Sequence, residues 1–145
     1  MIDLPDEDTK QAFRCFRSRM EAPDRPIEMF QYNGDGPAPP MLFRVSALAH
    51  KLIAGEVGFI HVTSPIDKEF ATKWITQRDL NMTYVHNMPP LWLDDPVLGV
   101  EMPDNTVLLI DGSHRYMARY LAKLPTIDYF IVPRPLWLPY ATIYR

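Results

Sequence analysis

A chain of 145 residues has the length of one ordinary domain, and with 47% hydrophobic and 23% charged residues it can bury a core without staples. A net charge of −3 excludes the broad basic field that nonspecific nucleic-acid binding requires. Cys15 is the only cysteine, which excludes an intramolecular disulfide framework and a cysteine-rich zinc site.

Residues 1–10 are acidic and lack an apolar stretch, so no signal peptide is expected there. No run approaches the length of a membrane span. The expected compartment is the cytoplasm, with no membrane partner. Fifteen prolines against six glycines predict short elements joined by ordered connections.

In chain order, residues 6–21 read as a helix with Phe13, Phe16 and Met20 on one face, ended by Pro23 and Pro26. Cys15 within it reads as an inert structural thiol. Residues 23–40 hold five prolines and the turn Asn33-Gly34-Asp35-Gly36, predicting an arm with a short strand at 27–32. Residues 45–54 have a helical period and stop at Gly55. Residues 57–63 read as a buried strand. A helix is then predicted with Ser64 as cap, Pro65 in first position and Asp67 as the capping-box acid, its core face being Ile66, Phe70 and Trp74. Residues 79–96 read as irregular. Residues 97–102 and 106–110 read as an antiparallel hairpin. A helix from Ser113 to Leu124 and a strand at 127–132 follow. The tail, residues 134–145, is apolar and proline-rich, and is expected to pack as an extended segment or to meet a partner.

The chemistry concentrates at Asp111-Gly112-Ser113-His114-Arg115, where a buried strand turns into a helix. Gly112 allows close backbone approach. The free N–H groups of the first helical turn favour an anion. Arg115 supplies a planar fork for phosphate or carboxylate, and Ser113 can cap the helix or donate to a phosphate. Helical phase puts Met117, Ala118, Leu121 and Leu124 on the core face, His114 over the strand ends, and Arg115 and Arg119 on the open side. The pattern predicts an anion cradle. Asp67 reads first as a capping acid and second as a general base. Asp94-Asp95-Pro96 reads as an exposed acidic turn, with magnesium binding as the sharper alternative.

A strand ending in Asp111-Gly112-Ser113-His114-Arg115, a helix of small and apolar residues and the strand IDYFIV together resemble the ParB/sulfiredoxin superfamily, across residues 57–133. The segment is similar to the variant with an Asp-Gly-x-His-Arg motif, which includes ParB-like nuclease domains and free-serine kinases. The resemblance implies an α/β (α+β) fold, a small mixed sheet with packed helices. It implies that Gly112, Ser113, His114 and Arg115 contact nucleotide phosphates. Asp111 would sit by the transferred group through a magnesium ion. Ser113 stands where sulfiredoxins have their reactive cysteine, which excludes that reductase chemistry. The Gly-Glu-Arg-Arg motif and helix-turn-helix of chromosome-partitioning ParB proteins are absent from the sequence. Where free-serine kinases place a glutamate after the first strand, the nearest acid is Asp67.

The expected organisation is one domain over 1–145: helices and a proline-rich arm at 1–56, the core at 57–133 and the apolar tail at 134–145. The expected function is binding of a nucleotide such as ATP, or another phosphorylated small molecule, coupled to phosphoryl transfer or hydrolysis. Asp111 and His114 are the catalytic candidates, Asp111 the magnesium ligand and Asp67 a base. Gly112, Ser113, Arg115 and Arg119 are the phosphate ligands. One alternative is a ParB-like nuclease acting on DNA. Another is a non-catalytic regulatory or interaction protein, with the tail as homodimer or partner surface.

Overall fold

In the computed structural model, which describes residues 6–23, 25–34, 36 and 38–144, helix α1 spans Glu7–Met20. Residues 1–5 of the acidic start and Asp35 of the expected turn lie outside the described residues. Asp6 caps α1 by accepting the Thr9 N–H at 2.7 Å. Glu7 and Asp8 occupy its first turn and Arg17 and Arg19 its last, matching the helix dipole. Phe13, Phe16 and Met20 are buried, as their spacing predicts.

Two small sheets follow. Strands β1 (Phe30–Tyr32) and β2 (Met41–Phe43) pair antiparallel, and the C-terminal strand β7 (Ala141–Ile143) adds to β2. The larger sheet contains β3 (Ile60–Pro65), β4 (Val97–Glu101), β5 (Val107–Asp111) and β6 (Thr126–Val132) in the order β3-β6-β4-β5. β4 runs parallel to β6, and the other two pairings are antiparallel. The fold is therefore mixed α+β, with helices packed on small sheets.

The larger sheet separates two cores. On one side α1, α2 (Val45–Ile53) and the smaller sheet bring Phe16, Phe43, Leu48 and Leu52 against Leu98, Val100 and Phe130. On the other, α5 (Ser113–Leu121) and a helical stretch at 68–77 bring Tyr116, Met117, Ala71 and Ile75 against Val97, Leu109 and Ile127. Successive strand side chains point to opposite faces, so β4 is buried on both.

Several expectations need correcting. Ser64 and Pro65 belong to β3, and Asp67 itself caps the next helix, accepting from Glu69 N–H at 2.8 Å and Phe70 N–H at 3.3 Å. That stretch includes a π-helical turn, Phe70–Trp74, and its buried residues are Ala71 and Ile75, with Trp74 exposed. The region read as irregular contains two short helices, α3 (Met82–His86) and α4 (Pro90–Leu93). Their packing on α5 turns its buried side toward Arg115 and Tyr116 and leaves Leu121 exposed.

The tail folds into the molecule as α6 (Arg134–Trp137), a 3-10 turn and β7. Trp137 is buried against Phe43, and its indole N–H donates to Glu101 O at 2.8 Å. Trp137→Ala is expected to lower stability by about 3–5 kcal/mol, measured by urea unfolding, because it opens a cavity and leaves that carbonyl unpaired.

Candidate functional site

The register of the β4–β5 hairpin steps from Leu98↔Asp111 to Gly99↔Leu109, a one-residue bulge on β5. Bulges re-aim the side chains beside them, and Asp111 faces the end of α1. There Arg19 donates through NH2 to Asp111 Oδ2 at 3.1 Å, and Arg25 NH2 lies 3.7 Å from Asp111 Oδ1. Arg19 Nε is 3.0 Å from Asp95 Oδ2, a charge pairing without hydrogen-bond alignment. Arg25 also pairs with Glu28 at 2.8 Å. With Arg115, three cations and three carboxylates gather where β5 becomes α5.

Burial alone would raise the Asp111 pKa, but Arg19, Arg115 and Arg25 hold it down at about 2. Glu28 moves the other way, to about 7, because of its burial and the neighbouring Asp111 charge. Burial also pushes Asp95 up, against the pull of Arg115 and Arg19.

The motif side chains turn inward. Gly112 has φ 108°, and a Cβ there would stand 2.9 Å from Val97 Cβ, so glycine is demanded by backbone and packing. Arg115 is 5% exposed and donates from Nε to Trp92 O and from NH1 to Pro96 O. Arg119 donates from Nε to Thr126 O at 2.6 Å and from NH1 to Leu93 O at 2.7 Å. Neither guanidinium is presented to the open side as the phase predicts, because the 92–96 connection covers both. Ser113 Oγ accepts from Arg78 NH1 at 2.8 Å. His114 Nε2 accepts the Asn81 N–H at 3.0 Å, so the ring is neutral with its proton on Nδ1. Its burial, then Arg115, lower its pKa. Packed edge-on to Tyr84, it faces α3 rather than the strand ends.

Asp111 does not suit a magnesium ion in this arrangement. Guanidinium groups surround its carboxylate, and among the described residues no group of three His, Cys, Asp or Glu side chains is placed to hold a metal ion. Asp94 and Asp95 diverge: Asp95 turns to Arg19, and exposed Asp94 lies 3.6 Å from Arg119.

Open space lies beside Tyr116, the α5 residue that follows the motif. A groove of about 600 Å³ is lined by Ser64, Asp67, Lys68, Val107, Tyr116 and Tyr129, among others. Asp67 therefore sits in it, while Asp111, His114, Arg115 and Arg119 do not line it. Tyr116 is buried, and its hydroxyl accepts the Asp67 N–H at 2.9 Å. Phe70 packs edge-on to the Tyr116 ring at 5.0 Å. Gly99 keeps the floor low, since a Cβ there would stand 2.6 Å from Val107 Cγ1 and 3.4 Å from Tyr129 Cδ2. The sequence reading missed Lys68, Tyr116 and Tyr129. Tyr116 stands one residue after the motif, and its position on the helix was the available signal.

Comparison of the chain with protein-family models, with curated proteins and with solved structures gave no match.

Arg115→Ala is expected to cost about 3–5 kcal/mol in urea unfolding, since it strips a cation from a buried cluster. The Glu28 carboxyl should mark the pH profile. Folded Glu28 keeps its proton up to about pH 7, whereas its ordinary value is 4.5, so its contribution is complete below 4.5 and is lost as pH rises through 7. Asp111 contributes above its ordinary 3.8 and loses that as pH falls through about 2. Glu28→Gln should therefore gain on the parent as pH is raised from 5 to 8, read from unfolding midpoints.

Proposed function

We propose that this chain binds a phosphorylated small molecule, a nucleotide such as ATP being the first candidate, in the groove between residues 64–70 and α5. One observation carries the reading: Asp67, Lys68, Tyr116 and Tyr129 converge on the open space of about 600 Å³. That volume falls within the range of about 300–1,000 Å³ common for small-molecule sites, and a few polar groups among rings and aliphatics is their usual lining. Lys68 offers a cation for phosphate, and the tyrosine and Phe70 rings offer apolar surface for a base. The resemblance of residues 57–133 to the ParB/sulfiredoxin superfamily supports the same ligand class.

The chemistry proposed is phosphoryl transfer or hydrolysis. Asp67 Oδ1 is occupied by the Glu69 and Phe70 N–H groups, which leaves Oδ2 to accept a proton from an attacking hydroxyl or water. His114 and Asp111 act at a distance in this reading, by holding the start of α5. Any magnesium would arrive with the phosphates.

A second reading is favoured by the β3 edge of the larger sheet, where Ile60 and Val62 are 54% and 37% exposed. An edge strand without Asp, Glu, Lys or Arg and with two exposed aliphatic side chains suits a protein contact, so a non-catalytic interaction protein remains the competing proposal. The nuclease reading has no such support.

Thermal shift against ATP, ADP, CTP, GTP and pyrophosphate, with and without magnesium, separates the two. A ligand at 100 times its Kd adds about 2.7 kcal/mol of stability. The expected result is a shift that Lys68→Ala removes, with turnover lost in Asp67→Asn. No shift with any of them, or an equal shift in Lys68→Ala, would overturn the reading. A stable dimer seen by light scattering without ligand binding would favour the interaction protein.

A further inference from the structure

Among the polar groups of the groove, the two tyrosine hydroxyls differ in what they already bond. The Tyr116 oxygen accepts the Asp67 N–H, so its own O–H proton is left to donate. The Tyr129 hydroxyl has no hydrogen-bond partner among the described residues, although its ring is partly buried on β6. Both residues line the same groove, and burial, then the neighbouring Tyr116, push the Tyr129 pKa upward. Both O–H groups therefore stay protonated and available as donors. Lys68 stands at the rim, exposed.

We infer that the hydroxyls of Tyr116 and Tyr129, with the Lys68 ammonium, form an oxyanion subsite in the groove that holds the phosphate, or by the same chemistry a carboxylate, of the ligand. The inference rests on the groove reading above and deepens it. Two neutral donors and one cation suit an anion better than a neutral ligand, because hydrogen bonds to a charged acceptor are the stronger kind. The Asp67 carboxylate opposes an anion, and Lys68 offsets that charge. Gly99 supports the arrangement, since any side chain there would press on Val107 and Tyr129, which line the groove.

Tyr129→Phe is the cleaner variant, because Tyr116→Phe would also leave the Asp67 N–H without its acceptor. Calorimetric titration of the parent and Tyr129→Phe with pyrophosphate, malonate and adenosine tests the subsite. Pyrophosphate or malonate is expected to bind the parent and to lose about tenfold or more in the variant, with adenosine unaffected. Equal affinity of both proteins for the anions overturns the subsite and leaves the groove reading standing, whereas binding of adenosine alone overturns the subsite and the phosphorylated-ligand reading. Binding of malonate but of no phosphate, lost in Tyr129→Phe, upholds the subsite and overturns the phosphorylated-ligand reading. No binding by any of the three overturns both. If Tyr129→Phe fails to fold, the same question is put to the unaltered chain labelled with 13C at tyrosine Cζ. Pyrophosphate or malonate should then move two tyrosine signals, and no movement overturns the subsite.

Discussion

A carboxylate as buried as Asp111 is tolerable only when cations meet it, and that requirement organises the molecule. Arg19 comes from the end of α1 and Arg25 from the segment leading into β1, so pairing them with Asp111 fixes both to the β5–α5 junction. The smaller sheet is placed by the same contacts, since β1 and β2 are continuous with that segment. Desolvating so many charges brings little net stability in itself, while removing a single member leaves another unpaired at high cost. The cluster therefore acts less as glue than as a demand for one arrangement of the N-terminal third against the larger sheet.

The same demand explains what became of the motif. An aspartate, a glycine, a serine, a histidine and an arginine at a strand-to-helix turn have the right chemistry for an anion cradle. Here each polar side chain has an internal partner: Asp111 has Arg19 of α1 and Arg25 of the arm, Ser113 has Arg78, His114 the Asn81 amide, and Arg115 the carbonyls of Trp92 and Pro96. The 80–96 connection lies across α5 and takes the hydrogen bonds a ligand would have used. Residue type specified polar chemistry at this turn, but which partner satisfies it depends on segments far away in sequence.

That distinction also describes what was legible beforehand. α1, α2, the 97–111 hairpin, α5 and β6 follow from periodicity and turn chemistry, which are local. β2, of three residues, carries no period long enough to detect, and β7 exists only because β2 offers it an edge. Ser64-Pro65 reads as a helix start because proline suits that position, yet Pro65 ends a strand paired with Thr126 on β6. The Arg19–Asp111 pair spans 92 positions and had no local signature. Asp67 was readable as a cap, and its place in the groove was not, because the groove is made by β3, β5, β6 and α5 together.

Neighbouring residues of α5 consequently do different work. Its first turn is bound into charge pairs and carbonyl contacts, where substitution costs stability. Tyr116, next along the helix, links it to residues 66–70 through the Asp67 amide and the Phe70 ring, and there the surface opens. The π-helical turn at Phe70–Trp74 bears on this division. Such turns are rare and occur frequently at functional sites. Here the turn allows Ala71 and Ile75 to stay in the core while Phe70 meets Tyr116 at the groove wall. A ligand held against that wall would contact a segment tied to α5 by the Tyr116–Asp67 and Arg78–Ser113 hydrogen bonds, the Phe70 ring contact and the core that Ala71 and Ile75 share with Met117.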